Sequence, residues 1–397
     1  QFEKLCRRGN ITDLDRFLQL HHGQPARIHE EFDRIARKYK IDLAKRSSQN
    51  AASEPSQVEA TIAVRAATAE HTSRYVILRP HARGGLGQVS IALDSELNRQ
   101  VALKEILPNH ADDRIRQERF IQEAEITGQL EHPGIVPVYG MGTYPDGRPY
   151  YAMRFVEGSS LRKAIDDLHQ GAGRGASLAS GERGVQFRHL LNSFIAVCHA
   201  MHYAHCRQVL HRDLKPDNIM LGPYGETLIV DWGLAKPVQT TASDSLPFPS
   251  DHGSGSGSQP VRVKGRDSNS ATLEGAAVGT PAYMSPEQAE GKLSRLGPAS
   301  DIYSLGATLY ALLTGQPPFK DDDPFNLLAA VREGRFTRPR QLNHAVPKSL
   351  DAICVKAMAL KPQDRYATAR DLADDIERYL ADEPVAAMPE PAWSRVG

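Results

Sequence analysis

Apolar residues recur at two different spacings along this chain, and the change of spacing divides it. From about residue 75 the apolar positions fall in short alternating runs. Tyr75-Val76-Ile77-Leu78, Val89-Ser90-Ile91-Ala92-Leu93 and Val101-Ala102-Leu103-Lys104 read as β-strands. A helical stretch follows from Asp112 to Leu130, and two further strands flank the turn at Pro145-Asp146-Gly147. After Gly158 the pattern is mostly helical through Leu380. Strands first and helices afterwards predict an α+β arrangement of two lobes rather than a βαβ repeat. Upstream, Leu14, Phe17 and Leu18, then Ile28, Phe32 and Ile35, recur at helical spacing among charges. Residues 1–47 are therefore expected to form a helical N-terminal extension. Residues 48–73, rich in Ser, Ala, Gln and Glu, suit a flexible linker. The domain proper is expected over 74–382, with an N-lobe at 74–156, a C-lobe at 157–382 and a C-terminal tail at 383–397. Two polar inserts, Gln170–Gln186 and Gln239–Thr272, carry too little apolar surface to offset their chain entropy and are expected to be mobile.

Composition narrows the function classes. The 397 residues are 40% hydrophobic and 24% charged, and acids and bases balance at 48 each. No net field favours nucleic acid or an anionic membrane. The four cysteines, at 6, 198, 206 and 354, show no framework spacing, which fits a reducing cytoplasm. No apolar run approaches the ~20 residues that cross a bilayer. The chain opens on Gln1 rather than methionine, which fits a fragment of a longer protein. An anchor outside this stretch would put the chain on the cytoplasmic side of a membrane. Cys198, His202, His205 and Cys206 share helical offsets. Structural zinc sites draw their ligands from separate loops or turns, so core packing is the expected role of these four.

Chemistry enters at Ala82-Arg83-Gly84-Gly85-Leu86-Gly87-Gln88-Val89. Strand-like sequence lies on both sides, so this is no dinucleotide fingerprint, which would open a helix. It is either a plain hairpin turn or a flap whose backbone amides cover phosphates. Downstream residues decide for the flap. Lys104 ends an apolar strand, where a structural lysine would turn to solvent, and Glu123 on the following helix is its natural partner. Then come His211-Arg212-Asp213-Leu214-Lys215-Pro216-Asp217-Asn218, Asp231-Trp232-Gly233 and Ser285-Pro286-Glu287. Their order is that of the protein-kinase motifs.

On these residues the chain resembles the eukaryotic-like (Hanks-type) serine/threonine protein kinases of bacteria, over about residues 74–382. The resemblance implies a two-lobed protein-kinase fold, with a small, mainly antiparallel β N-lobe carrying one helix and a larger helical C-lobe. It implies transfer of the γ-phosphate of ATP to protein Ser and Thr hydroxyls, with Mg²⁺, or Mn²⁺ in its place. Lys104 would hold the α- and β-phosphates and be oriented by Glu123. Asn218 and Asp231 would supply hard oxygen ligands to the metal. Asp213 would accept the hydroxyl proton, and Lys215 would neutralise charge on the transferring group. Val89 and Ala102 would cover the adenine, with Met220 beneath it. Met153 would lead into a hinge at Arg154, Phe155 and Val156. Glu287 would pair with Arg365, and Asp301 would brace the catalytic loop. Thr280 would sit at the substrate loop.

The same resemblance frames regulation. In the activation segment, 231–287, Thr272 lies eight residues before Thr280, where related bacterial kinases commonly carry a phosphate. Arg212 would receive it, Glu274 could add negative charge beside the same arginine, and a homodimer could provide autophosphorylation in trans. The alternative for Thr272 is an ordinary linker residue. Three departures stand out: Ala82 for the first flap glycine, Trp232 for the D-F-G phenylalanine and Ser285 for the A-P-E alanine. Ala82 would stiffen the flap. Trp232 would fill space left by the small Thr127 in an inter-lobe column with His211 and Val138. No catalytic polar group is missing, which favours an active enzyme over a nucleotide-binding pseudokinase scaffold. The Ser285-Pro286-Glu287 segment disfavours a small-molecule kinase.

Overall fold

The computed structural model describes residues 74–84, 86–111, 113–170, 180–237, 261 and 279–388. The helices expected within 1–47, the linker at 48–73, most of both inserts and the last nine residues lie outside the described residues. Strands β1 (Tyr75–Arg83), β2 (Gly87–Asp94), β3 (Arg99–Ile106), β4 (Val138–Thr143) and β5 (Pro149–Arg154) form one antiparallel sheet in the order β1-β2-β3-β5-β4. β3 is central, and Val101–Lys104 are buried on both faces. Its register sets Lys104 opposite Val89 on one side and Tyr151 on the other. Gly87 opens β2 because a Cβ there would meet the Glu105 carbonyl oxygen at 2.7 Å.

Helix α1 (Arg114–Gln129) packs against this sheet, close to the stretch its periodicity predicts. Asp113 caps it, accepting from the N–H groups of Ile115 and Arg116. Phe120, Glu123, Ala124 and Thr127 are buried at helical spacing, so Glu123 lies on the inner face among apolar neighbours.

The C-lobe begins with β6 (Ser159–Ser160), α2 (Leu161–His169) and α3 (Gly181–Cys206). Short strands then bracket the chemistry: β7 (Val209–Leu210), β8 (Ile219–Leu221), β9 (Thr227–Ile229) and β10 (Lys236–Pro237). β8 pairs with β6 and β9, and β10 pairs with β7. After the four-residue α4 (Pro286–Ala289) comes α5 (Pro298–Thr314), buried from Ser300 through Leu313. A helix apolar all round belongs at the centre of a fold, and α5 ends on Gly315 at φ 78, a left-handed cap that favours glycine. Around it lie α6 (Pro324–Glu333), α7 (Pro339–Leu342), α8 (Lys348–Ala357) and α9 (Ala369–Leu380). The fold is the α+β, two-lobed arrangement expected. Among the described residues no helix is long and apolar enough to cross a membrane.

The packed domain runs past the boundary at 382. The Asp375 carboxylate is fully buried and accepts from the backbone N–H groups of Ala386 and Ala387, at 2.6 and 2.9 Å. It also accepts from the Tyr366 hydroxyl at 2.8 Å and the Arg378 guanidinium at 3.0 Å. Val385, between these anchors and α9, is buried in the main core. A chain ended after Asp382 is expected to lose about 3 kcal/mol of unfolding free energy, from one buried valine and two backbone hydrogen bonds withdrawn from a buried carboxylate. Urea denaturation of the two forms side by side measures it.

Candidate active site

Most residues singled out for nucleotide and metal line one cleft of about 770 Å³, within the range of small-molecule sites, whereas Asp213 and Lys215 are not among its lining residues. Val89, Ala102 and Lys104 line it from the sheet, and Met153, Arg154, Phe155 and Val156 line its back. Asn218, Met220 and Asp231 line it from the C-lobe. Of the flap, Ala82, Arg83, Gly84, Leu86 and Gly87 border the cleft, and Gly85 lies outside the described residues. Gln88 is not in the lining; its side chain reaches the Ser90 hydroxyl at 3.4 Å. Ala82 pairs with Val89 just past a register shift in β1, and its φ is not in the left-handed region. Sequence reasoning missed His81, Val136, Tyr151 and Val230, which also line the cleft. Each is a common residue whose placement depends on sheet register rather than on chemistry.

At the cleft's inner end Lys104 Nζ lies 2.5 Å from Glu123 Oε1 and 3.2 Å from Asp231 Oδ1. The Tyr151 hydroxyl donates to the same Glu123 oxygen at 2.8 Å. Burial pulls the Lys104 pKa down, but the charges of Glu123 and Asp231 outweigh it and hold it well above its ordinary value. The ammonium therefore persists at neutral pH. Asp231 sits at φ 62, a conformation few non-glycine residues adopt. Burial raises its pKa, Lys104 lowers it more, and the net shift is downward. Its side chain is 50% exposed, so an anionic oxygen reaches the cleft.

Asp213 occupies the loop between β7 and β8. Its Oδ1 accepts from the Thr280 N–H at 2.7 Å and its Oδ2 from Lys215 Nζ at 2.8 Å. Lys215 Nζ also donates to the Thr280 hydroxyl at 2.6 Å. Gly279, at φ 121, allows this approach: a Cβ would lie 3.0 Å from the Arg212 carbonyl and 3.3 Å from Asp213 Oδ1. Asn218 Nδ2 donates to the Asp213 carbonyl at 2.9 Å, which leaves the amide oxygen available. Asn218 and Asp231 thus offer two hard oxygens to a divalent cation, fewer than a full set. Among the described residues no group of three His, Cys, Asp or Glu could hold a metal. That fits Mg²⁺, which takes most of its ligands from phosphates and water.

Behind the loop, Asp301 on α5 accepts from the His211 and Arg212 N–H groups at 3.0 and 2.9 Å, and from His205 Nε2 at 2.9 Å. Burial raises its carboxyl pKa, but these donors hold it below its ordinary value. His205, one of the four helical Cys and His residues, thereby braces the catalytic loop from the core. Cys198 is buried and its thiol pKa is pushed up by desolvation; Cys206 Sγ lies 3.7 Å from His202 Nε2. Glu287 and Arg365 form a buried bidentate pair at 2.8 and 2.9 Å. The guanidinium's other three N–H groups donate to the carbonyls of Ala299, Ala359 and Leu360.

Two members of the expected inter-lobe column, Trp232 and His211, are in contact. Trp232 is buried with its ring centroid 4.7 Å from that of His211. Thr127, however, donates its hydroxyl to the Glu123 carbonyl of its own helix at 2.7 Å. Val138 packs with Ile106, Phe120, Ala124 and Tyr151, whereas Trp232 belongs to the C-lobe core, to which Ile126 and Leu130 contribute. Thr272 lies outside the described residues. Val261, the single described residue between Pro237 and Gly279, is buried, and its N–H donates to the Arg207 carbonyl at 3.2 Å.

Fold and site together define a two-lobed phosphotransfer architecture, and the protein kinase domain model matches residues 75–375. The chain belongs to the protein kinase family. It is 37% identical over 310 residues to serine/threonine-protein kinase PknD of Protochlamydia amoebophila, covering 77% of this chain and 30% of that protein. It is 34% identical over 316 residues to PknD of Chlamydia felis, covering 78% and 31%. The chain thus spans under a third of these relatives' length. Both relatives carry the serine/threonine kinase name that the motif set led one to expect.

Burial raises the Glu287 carboxyl pKa, but Arg365 and Ser300 bring it net below its ordinary 4.5. A carboxyl lowered on folding contributes stability that is fully present above its unfolded value and is lost as pH falls through the folded one. Glu287→Gln is therefore expected to destabilise the domain by about 3 kcal/mol at pH 7, by leaving Arg365 uncompensated. The gap should narrow as pH falls below 4.5 and through the carboxyl's lowered folded value, where the wild-type side chain also becomes protonated. Urea denaturation at the two pH values tests both the size and the sign.

Proposed function

We propose that this chain is an active kinase that transfers the γ-phosphate of ATP to serine and threonine hydroxyls of proteins. The observation that carries the reading is the double contact of Lys104 with Glu123 and Asp231. Phosphoryl transfer needs the strand lysine, the helix glutamate and the metal-binding aspartate in register at the same time. Here one ammonium joins all three elements.

In this reading Val89 and Ala102 cover the adenine from the sheet, and Met220 supports it from the C-lobe. The backbone of Arg154–Val156 recognises its edge, beside Met153. The flap from Ala82 to Val89, with Arg83, Gly84, Gly85, Leu86, Gly87 and Gln88, lies over the phosphates. Lys104 binds the α- and β-phosphates, and Glu123 and Tyr151 keep its Nζ aimed at them. Asn218 and Asp231 hold Mg²⁺, or Mn²⁺ in its place, which when bound neutralises charge on the phosphates. Asp213 takes the proton from the attacking hydroxyl through a carboxylate oxygen. Lys215 lies between that carboxylate and Thr280, where it offsets charge on the transferring group. Thr280 N–H fixes the carboxylate's rotation. A cytoplasmic location, where ATP is abundant, fits this chemistry. The intact Asp213, Asn218 and Asp231 leave no feature that favours a pseudokinase.

Asp213→Asn is expected to reduce kcat roughly 10²–10⁴-fold, the usual loss of a general base, with ATP binding retained. Asp231→Asn should cut transfer comparably and weaken Mg²⁺-dependent nucleotide binding. Steady-state transfer to a protein substrate and nucleotide titration separate the two, and an Asp213→Asn enzyme at the wild-type rate would refute the assignment.

Activation is proposed to follow phosphorylation of Thr272, one copy acting on another. Arg212 is half-buried, desolvation lowers its pKa, and its Nε has no partner among the described residues. Burial also lowers the pKa of Lys236, as do the nearby charges of Arg212 and Arg119. Three cations in one place favour an added phosphate through charge-assisted bonds. Mass spectrometry after incubation with ATP should find Thr272 modified, and Thr272→Ala should lower activity several-fold. Full activity with Thr272 unmodified would exclude this route.

A further inference from the structure

We infer that Gln288 is a positioning residue for phosphoryl transfer: its buried amide grips the Arg212 carbonyl and so sets the direction of Asp213. The inference rests on the kinase reading above, but its geometry stands apart from it. Gln288 is the third residue of α4. The Ser285 N–H and the Ser285 hydroxyl both donate to Gln288 Oε1 at 3.0 Å, and the Gln288 N–H donates to Ser285 Oγ at 3.4 Å. A backbone N–H can only donate, so the side-chain atom facing Ser285 N must be the amide oxygen. The other end is then the NH₂ group, and it lies 2.7 Å from the Arg212 carbonyl oxygen, which can only accept. Chemistry at both ends thus decides the orientation of the amide.

The carbonyl it grips belongs to the peptide that precedes the catalytic aspartate. Arg212 sits at φ 69, where a non-glycine residue needs support from its surroundings. Its own N–H is held by Asp301 at 2.9 Å. The next peptide plane carries the Arg212 carbonyl on one edge and the Asp213 N–H on the other. Gln288 holds the first, and His211 Nδ1 accepts from the second at 3.3 Å. A peptide is planar, so fixing both edges fixes the bond from which the Asp213 side chain departs. Burial lowers the His211 pKa, consistent with a neutral ring whose Nδ1 can accept.

Neighbouring contacts make α4 a firm support. Glu287, one residue earlier, locks the helix to Arg365 and to the Ser300 hydroxyl on α5. Gln288 therefore passes the rigidity of the C-lobe core to the catalytic loop from the activation-segment side, opposite to Asp301. Ser285 stands where the A-P-E pattern has alanine, and its hydroxyl adds a second bond to the same amide oxygen.

The test uses the whole chain. Gln288→Met keeps length and apolar volume and removes the donor. It is expected to lower kcat roughly tenfold while KM for ATP stays within about twofold, because the cleft walls lie elsewhere. Hydrogen–deuterium exchange of the peptide containing His211–Asp213 should quicken, while exchange in α5 stays unchanged. Ser285→Ala, which keeps the Ser285 N–H that orients the amide, should produce a smaller loss of the same kind. Wild-type kcat and exchange in Gln288→Met would overturn the inference. So would a loss of kcat matched by faster exchange throughout α5, which would mark a general loss of stability. Should Gln288→Met not fold, unchanged loop exchange and kcat in Ser285→Ala would count against it. A wild-type chain that transfers no phosphate would defeat the kinase reading instead, and the exchange data would still decide whether Gln288 holds the loop.

Discussion

One buried carboxylate, that of Asp301, carries the arrangement on which the site depends. It sits on the most enclosed helix of the fold and receives three donors from two other segments. Two of those donors are consecutive backbone N–H groups, which forces the chain at His211 and Arg212 to turn sharply around it. A left-handed conformation at a non-glycine position such as Arg212 costs on the order of 1–3 kcal/mol, and the hydrogen bonds to Asp301 offset that strain. Everything downstream takes its position from this turn: the Asp213 carboxylate, Lys215 beside it, and Asn218 bonded to the Asp213 carbonyl. The chemistry is thus assembled outward from the C-lobe core rather than inward from a flexible surface loop.

The N-lobe solves its part of the problem by register. Lys104, Val89 and Tyr151 face one another because three antiparallel strands align them. Glu123 joins them from α1, whose buried face can carry a carboxylate because an ammonium and a hydroxyl meet it there. The two lobes then share a charge network through Asp231, whose carboxylate touches Lys104 while its backbone belongs to the C-lobe loop. Moving α1 away would strand Glu123 or Lys104 as a buried ion, so an open arrangement must bring water to both.

How much of this could be read from the sequence depended on whether a residue's chemistry was unusual for its place. A lysine ending an apolar strand, or an aspartate between a histidine–arginine pair and a lysine, has no easy structural explanation, and such residues were legible. The strand and helix pattern was legible too, including α1 to within about two residues at its start. What escaped were ordinary residues given importance by distant partners: His205 facing Asp301, Tyr151 donating to Glu123, and Gln288 reaching Arg212 from 76 positions away. The tail escaped for the same reason, since nothing in Val385-Ala386-Ala387 foretells two backbone bonds to Asp375. The role of Thr127 was only half legible. Size complementarity was argued from sequence, but a threonine in a helix can turn its hydroxyl to the preceding turn, and this one does.

The placement of Trp232 has a practical side. The chain contains two tryptophans, and the other, Trp393, lies outside the described residues. The indole of Trp232 is enclosed beside His211 and adjoins the aspartate whose carboxylate enters the cleft. Its ultraviolet emission responds to the polarity and charge of those surroundings. With Trp393 replaced by phenylalanine, the molecule carries a single tryptophan, which can be excited apart from its 13 tyrosines at long ultraviolet wavelength. Nucleotide entry and rearrangement of the segment beginning at Asp231 can then be followed optically in real time, with no dye attached.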